Sequence, residues 1–413
     1  MIHSPLPSFP MPATATRLRH CSRSLRGVVL WLASLFWAGS VLAADPLPRP
    51  LSESVPEPLR EFVTEPSEPS PALYIADPLN ANGFAGIPSC IESDVPCWPR
   101  WFVGASGLVM TRTLPSGAAT MQPVASGQQL STSSASATWP GGIDFHVGRW
   151  MGPRQQHAIE AIYWGVYNMG SSGSLSSAGT INAIPAAAST ITVSGTTAAS
   201  ILTGAQSQQI SRSDLVNDIE INWVYSLGDH PEFMPTEQRF NLMWLAGFRF
   251  FELQDTLSLA TVSSSASQLN FNVATNNNLY GGQVGAKFDW RLAPRLRFSA
   301  VPKFLLAGNA ITNTSSLASP NGTNATFADG SAVNVHATRG VFSWLGSVDS
   351  AVAWDVTDRW TLSMGYRVVG VGNIAQADGQ WPALITNATS LMSLEAGSST
   401  IIHGGFAGFE GRY

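Results

Sequence analysis

The chain has 413 residues and a formal net charge of −5, with 37 glycines, 14 tryptophans and 12% charged residues, about half the share usual in soluble domains. Mean hydropathy is +0.08, high for a protein in water, yet after the amino terminus no apolar run approaches the roughly 20 residues of a spanning helix. An acidic chain of this kind gives no basis for nucleic-acid binding, and apolar content without apolar helices points to strands.

Residues 1–44 read as an export signal. Arg17, Arg19, Arg23 and Arg26 form a basic region ahead of the apolar run Gly27 to Ser40, and Ala43 and Ala44 supply small residues for cleavage. Removing this segment takes away four arginines and no acid, so the charge moves from −5 to −9. Residues 45–100 are rich in proline, glutamate and serine and read as an extended, disordered periplasmic tether. Cys90 and Cys97 lie in it as a candidate local disulfide. Two thiols without a nearby histidine make only half a tetrahedral metal set, and no cofactor motif is present.

From Trp101 onward the period is two. Strands are predicted over 101–112, 142–151, 157–167, 217–227, 239–251, 279–291, 295–307, 341–356, 360–372 and 401–413, ten in all. A hairpin hidden in a long loop would make twelve. Alternation is clearest in 278–309, where Tyr280, Val284, Ala286, Phe288 and Trp290 oppose Gln283, Lys287, Asp289 and Arg291. After Ala293-Pro294, Leu296, Phe298, Ala300, Phe304 and Leu306 oppose Arg295, Arg297 and Lys303. A soluble sandwich would need a second sheet over every apolar face. In a bilayer, lipid covers that face and the charged face lines a closed barrel. The links alternate as well. Residues 152–156, 228–238, 292–294 and 357–359 are short connections, and long Ser/Thr/Ala/Gly-rich loops separate the other strands. That asymmetry puts short turns and both chain ends on the periplasmic side of an up-and-down antiparallel barrel. Aromatic residues near strand ends, among them Trp150, Tyr167, Trp223, Trp354 and Trp360, fit interfacial girdles. The terminal Tyr413, on the face of Phe409, is the type of signal that outer-membrane assembly machinery reads.

The segments NNNLYGGQVGAKFDWR (276–291), RLRFSAVPKFLLAGN (295–309) and RFNLMWLAGFRFFEL (239–253) resemble a family of signal-bearing outer-membrane β-barrel proteins, found mainly in planctomycete-type bacteria and uncharacterised in function. The resemblance covers the second half of the barrel best. It implies the fold and an outer-membrane location, and brings no catalytic residues.

The inner face carries the chemistry. Candidate lumen-lining bases are Arg239, Arg249, Lys287, Arg291, Arg295, Arg297, Lys303 and Arg367, with Arg412 at the end; acids are Asp218, Glu220 and Asp289, with Asp349, Asp355 and Glu410. The near-balance supports a lumen plugged by ion pairs, whereas a wider barrel would let the same residues bias the passage of ions or small solutes. Lys287, Arg291, Arg295, Arg297 and Lys303 form the densest basic patch. His146 with Asp144, and His403 near the outer end, are the histidines to weigh for a membrane-embedded hydrolase, but neither lies in a nucleophile motif. A third reading is a surface interaction protein that presents its long loops.

Overall fold

A computed structural model of the chain describes residues 100–125, 127–152, 155–227 and 239–413. Residues 1–99, with the predicted export signal, most of the predicted tether and the candidate Cys90–Cys97 disulfide, lie outside the described residues.

Ten strands close into one antiparallel ring: β1 (Trp101–Arg112), β2 (Gly141–Met151), β3 (His157–Tyr167), β4 (Ala205–Ser226), β5 (Phe240–Ser263), β6 (Gln268–Ala293), β7 (Leu296–Ala318), β8 (Asn334–Asp355), β9 (Trp360–Ile374) and β10 (Ser398–Arg412). Each strand pairs with the next in sequence, and β10 closes on β1 from Phe102↔Arg412 to Arg112↔Ile402. Tyr413 O accepts from the Arg100 and Trp101 amides at 2.8 and 2.9 Å, and the Tyr413 amide donates to Trp101 O at 2.9 Å. The start and end of the barrel therefore meet at the short-turn end. Closure leaves no open edge in the ring, the condition for placing backbone in hydrocarbon. This is the up-and-down barrel of about ten strands that the alternation predicts.

Outward side chains in the lower part form a continuous apolar belt. Ile219, Ile221 and Trp223 of β4, Trp244 and Phe248 of β5, Tyr280, Val284 and Trp290 of β6, and Leu362, Met364 and Tyr366 of β9 are all exposed. Water does not favour such a surface, and lipid does.

The upper part departs from the predicted strands. β1 to β3 run 11 or 12 residues, but β4 to β8 run 22 to 26 and continue well beyond the belt. The long loop expected after β5 is instead strand, with only residues 264–267 joining β5 to β6. The reason is an inversion of polarity at constant parity. On β6 the outward residue is Tyr280 or Val284 within the belt, and Asn270, Asn272, Asn276 and Asn278 above it, while Leu269, Phe271 and Val273 turn inward and are buried. Above the lipid, water faces the outer wall, so the apolar side must lie inside.

That inside is a core of the soluble type. Leu257, Leu259, Leu269, Phe271, Val273 and Leu317 of the wall pack with Ile191, Val193, Ile201, Leu202, Phe327, Ile385 and Leu391 of the connections. The long loops thus fold inward as a cap, although their composition suggested only a hydrated surface. One of them holds a further strand, Ser172–Ile181, which pairs with the upper part of β4 outside the ring. Another contributes the short helix Ala198–Leu202, and Ala186–Ala187 pairs in parallel with Leu384–Ile385.

Candidate lumen site

Below the cap the lumen is filled in layers that can be read along any long strand. Inward residues of β4 run Arg212, Asp214, Val216, Asp218, Glu220, and those of β5 run Asp255, Leu253, Phe251, Arg249 from the outer end downward. A charged layer, an apolar layer and a second charged layer follow one another.

The upper charged layer lies above the belt. Arg112 Nε and Asp214 Oδ2 are 2.7 Å apart, Arg112 Nη2 and Asp255 Oδ2 3.0 Å, and Arg212 reaches Asp255 Oδ1 and both oxygens of Asp378 at 2.8 Å. Two guanidiniums thus meet three carboxyl groups. Burial, with Asp255 alongside and against the pull of Arg112, pushes the Asp214 carboxyl well above the usual carboxylate range. Burial alone would raise Asp255 too, but it faces both guanidiniums and is held at about 2. A single proton on Asp214 balances the group. The layer also fastens the cap: the Ala377 amide donates to Asp255 Oδ2 at 3.0 Å, and the Asn277 side chain exchanges hydrogen bonds with Ala375 O at 2.7 Å and Ala375 N at 2.8 Å.

Next comes an apolar layer of Leu108, Met110, Trp164, Val216, Phe251, Leu253, Leu279, Leu305, Leu345 and Val369. It occupies the cross-section between the two charged layers.

The lower charged layer contains most of the predicted lumen residues. Arg249 donates from Nε and Nη2 to Asp218 Oδ2 at 2.8 and 2.6 Å, and from Nη1 to Ser347 Oγ at 3.1 Å. Lys303 of β7 binds Glu220 of β4 at 2.8 and 3.0 Å, and Lys287 of β6 bonds Glu160 of β3, so each pair reaches past two intervening strands. Gln283 donates to Glu220 at 2.9 Å and Asn222 at 2.6 Å. Arg367 of β9 joins Asp349 of β8 at 2.7 Å to Asp144 of β2 at 2.8 Å, with its guanidinium over the rings of Trp164 and Phe406. Each charge is paired, as burial requires. Within the basic patch of β6 and β7, Lys287 and Lys303 are thereby neutralised.

The remaining predicted residues are placed differently. Arg297 stands at the lower mouth, 3.8 Å from Asp355. Arg291 is half-buried beside the β6–β7 turn, and Arg239 and Arg295 are exposed at strand ends instead of lining the lumen, because the chain leaves the ring there. Asp289 is half-buried and faces inward without a hydrogen bond or ion pair among the described residues. His146 does face the lumen, with Nε2 3.2 Å from Glu410 and Nδ1 3.9 Å from Asp144. Its ring lies over Gly104, where a Cβ would approach Cε1 to 2.2 Å. His403 faces outward, 2.7 Å from the hydroxyl of Tyr366 in the aromatic girdle. Glu160, Arg112, Arg212, Asp214, Asp255 and Asp378 were not among the predicted lumen residues. Continuing the parity of Asp218 and Glu220 upward reaches Asp214 and Arg212, and Glu160 shares the parity of Ala158 and Trp164.

Below this layer a cavity of about 280 Å³ remains, lined among others by Phe102, Trp150, Lys287, Asp289, Arg297 and Glu410.

Residues 115–393 match the family model described as "Putative beta barrel porin-7 (BBP7)". A search of curated proteins finds no match. Among solved structures the chain is similar to outer membrane protease OmpT from Escherichia coli, at 10% identity and a TM-score of 0.40, over 78% of this chain and 99% of that one. It is also similar to the toluene transporter TodX of P. putida, at 10% identity and a TM-score of 0.27 over 77% and 91%. A major outer membrane protein from Thermus thermophilus aligns at 8% identity and a TM-score of 0.26 over 75% and 99%.

Proposed function

The chain belongs to the beta barrel porin-7 family, an outer-membrane barrel of porin-like build, and on that premise we propose that this member is a closed envelope barrel and not a wide diffusion pore. One observation carries the reading: between the cap and the lower cavity, the lumen holds an apolar layer set between two ion-paired layers. Water and solutes would have to break buried pairs such as Lys303–Glu220, whose side chains are 4% and 2% exposed. Leaving one member of such a pair buried without its partner costs about 3–5 kcal/mol.

The barrel is proposed to act without catalysis. The ring nitrogens of His146 face two carboxylates, Glu410 at 3.2 Å and Asp144 at 3.9 Å, an arrangement that supports a structural role over that of a general base. Outer-membrane lipid around the belt and the assembly machinery that inserts barrels are the partners this reading requires.

Liposome swelling tests it. Vesicles carrying the folded protein should swell in isotonic arabinose no faster than protein-free vesicles. Swelling at the rate of a general porin would overturn the closed reading.

A further inference from the structure

The cavity beneath the lower charged layer extends from Arg367 and Lys303 to Trp101 and Arg412 at the short-turn end, the end that the asymmetry of the strand links assigns to the periplasm. Its volume of about 280 Å³ sits at the lower limit for small-molecule pockets. Inward-facing Phe102, Trp150 and Phe406 give it an aromatic side. Most of its charges are already committed: Lys287 to Glu160, Lys303 to Glu220, Arg367 to Asp144 and Asp349, and Glu410 to His146 and Arg412.

Two opposite charges stand apart from this pairing. Asp289 has no hydrogen bond and no ion pair within 4.0 Å among the described residues, although Arg297 and Lys287 both act on it electrostatically. Among the described residues Arg297 pairs only with Asp355, at 3.8 Å, their side chains 26% and 30% exposed. They lie on adjacent strands, where Asp289 is opposite Ser299, two residues from Arg297. A carboxylate and a guanidinium this near that do not touch leave a gap with an acceptor on one side and donors on the other. At the upper end, Arg367 Nη1 is buried without a hydrogen-bond partner among the described residues and is a further donor in the lining.

We propose that this cavity is a periplasm-facing binding site for a small zwitterion of the amino-acid class, its ammonium on Asp289 and its carboxylate on Arg297, with an apolar side chain against the aromatic side. A simple cation would satisfy Asp289 and leave Arg297 loosely paired; a simple anion would leave Asp289 unpaired. A zwitterion fills both, and burying either charge without a partner is costly. That the solute is held and not conducted rests on the closed-lumen reading; the binding itself does not, because a porous barrel could still bind here and a closed one could fail to.

Isothermal titration of the folded full chain in micelles, against micelles alone, tests the assignment with three probes of one shape: L-phenylalanine, phenethylamine and 3-phenylpropanoate. L-Phenylalanine should bind at least tenfold more tightly than either singly charged analogue. Asp289→Asn and Arg297→Gln should each weaken it at least tenfold, with heat-dependent gel migration unchanged. No binding of L-phenylalanine to the wild type would overturn the proposal, as would equal binding of all three probes or preference for the amine alone. The wild-type comparison decides the matter even where a variant fails to fold. Swelling measured on the same preparation separates this outcome from the state of the lumen.

Discussion

Replacing Arg249 by methionine removes every hydrogen bond to the Asp218 side chain among the described residues while keeping a chain of similar length. Arg249 is 1% exposed and Asp218 is fully buried. The substitution deletes contacts of 2.8 and 2.6 Å to Asp218 and one of 3.1 Å to Ser347, and it leaves a carboxylate within a sealed layer. In a dry lumen that change costs about 3–5 kcal/mol, the penalty for orphaning one member of a buried pair. In a water-filled lumen the same charges are hydrated, and the cost falls to about 1 kcal/mol or less. The double variant Asp218→Leu/Arg249→Met separates the two cases further. Replacing a whole buried pair by apolar side chains is near neutral, so the second substitution should restore most of what the first removes. Urea unfolding of the vesicle-inserted protein, followed by tryptophan fluorescence, supplies the stabilities. A loss below about 1 kcal/mol for Arg249→Met, or a double variant as unstable as the single one, would refute the sealed layer.

Two further predictions concern the part above the belt. Asp255, held at about 2 in the fold against about 3.9 unfolded, contributes about 2–3 kcal/mol that is present above its unfolded value and lost as pH falls through its folded one. Asp214, pushed up, has the opposite sign: its contribution is greatest at low pH and declines as pH rises from its unfolded value through its raised one. Asp255→Asn should therefore destabilise strongly at pH 7 and flatten the acid limb of a stability–pH curve, while Asp214→Asn should change stability at pH 7 by about 1 kcal/mol or less. Equal losses for the two would contradict the assignment of the shared proton. On β6, Phe271→Ala, which vacates the cap core beside Trp381 at 5.1 Å, should cost about 3–5 kcal/mol, whereas Asn272→Ala on the watered side should cost about 0.5 kcal/mol or less. Thermal melts of the two variants check the inversion, and a reversed order would refute it.

Strand number and pairing order were legible because the belt obliges outward residues to be apolar at every second position, as from Phe240 to Phe250 and Trp360 to Val368. The extensions of β4 to β8 were illegible to the same rule. Past Tyr280 the outward residues become asparagine and the apolar ones turn inward, so a search for apolar outward faces ends at the edge of the lipid. Parity is unbroken through Asn270, and following parity instead of polarity would have recovered the strand. Charge type at Asp218, Glu220, Lys287 and Lys303 could be read from alternation. Their partners could not, since Lys303 meets Glu220, and Lys287 meets Glu160, past two intervening strands whose heights depend on the stagger of the closed ring. Arg239 and Arg295 share the lumen parity, yet the turns beside them carry both side chains out of it.

Single-channel recording in planar bilayers tests the closed lumen most directly. The account predicts that the inserted, heat-modifiable protein shows no sustained open level at neutral pH, and that Arg249→Met produces brief openings where the lower layer is breached. Stable, large and long-lived conductance from the wild-type protein would contradict it.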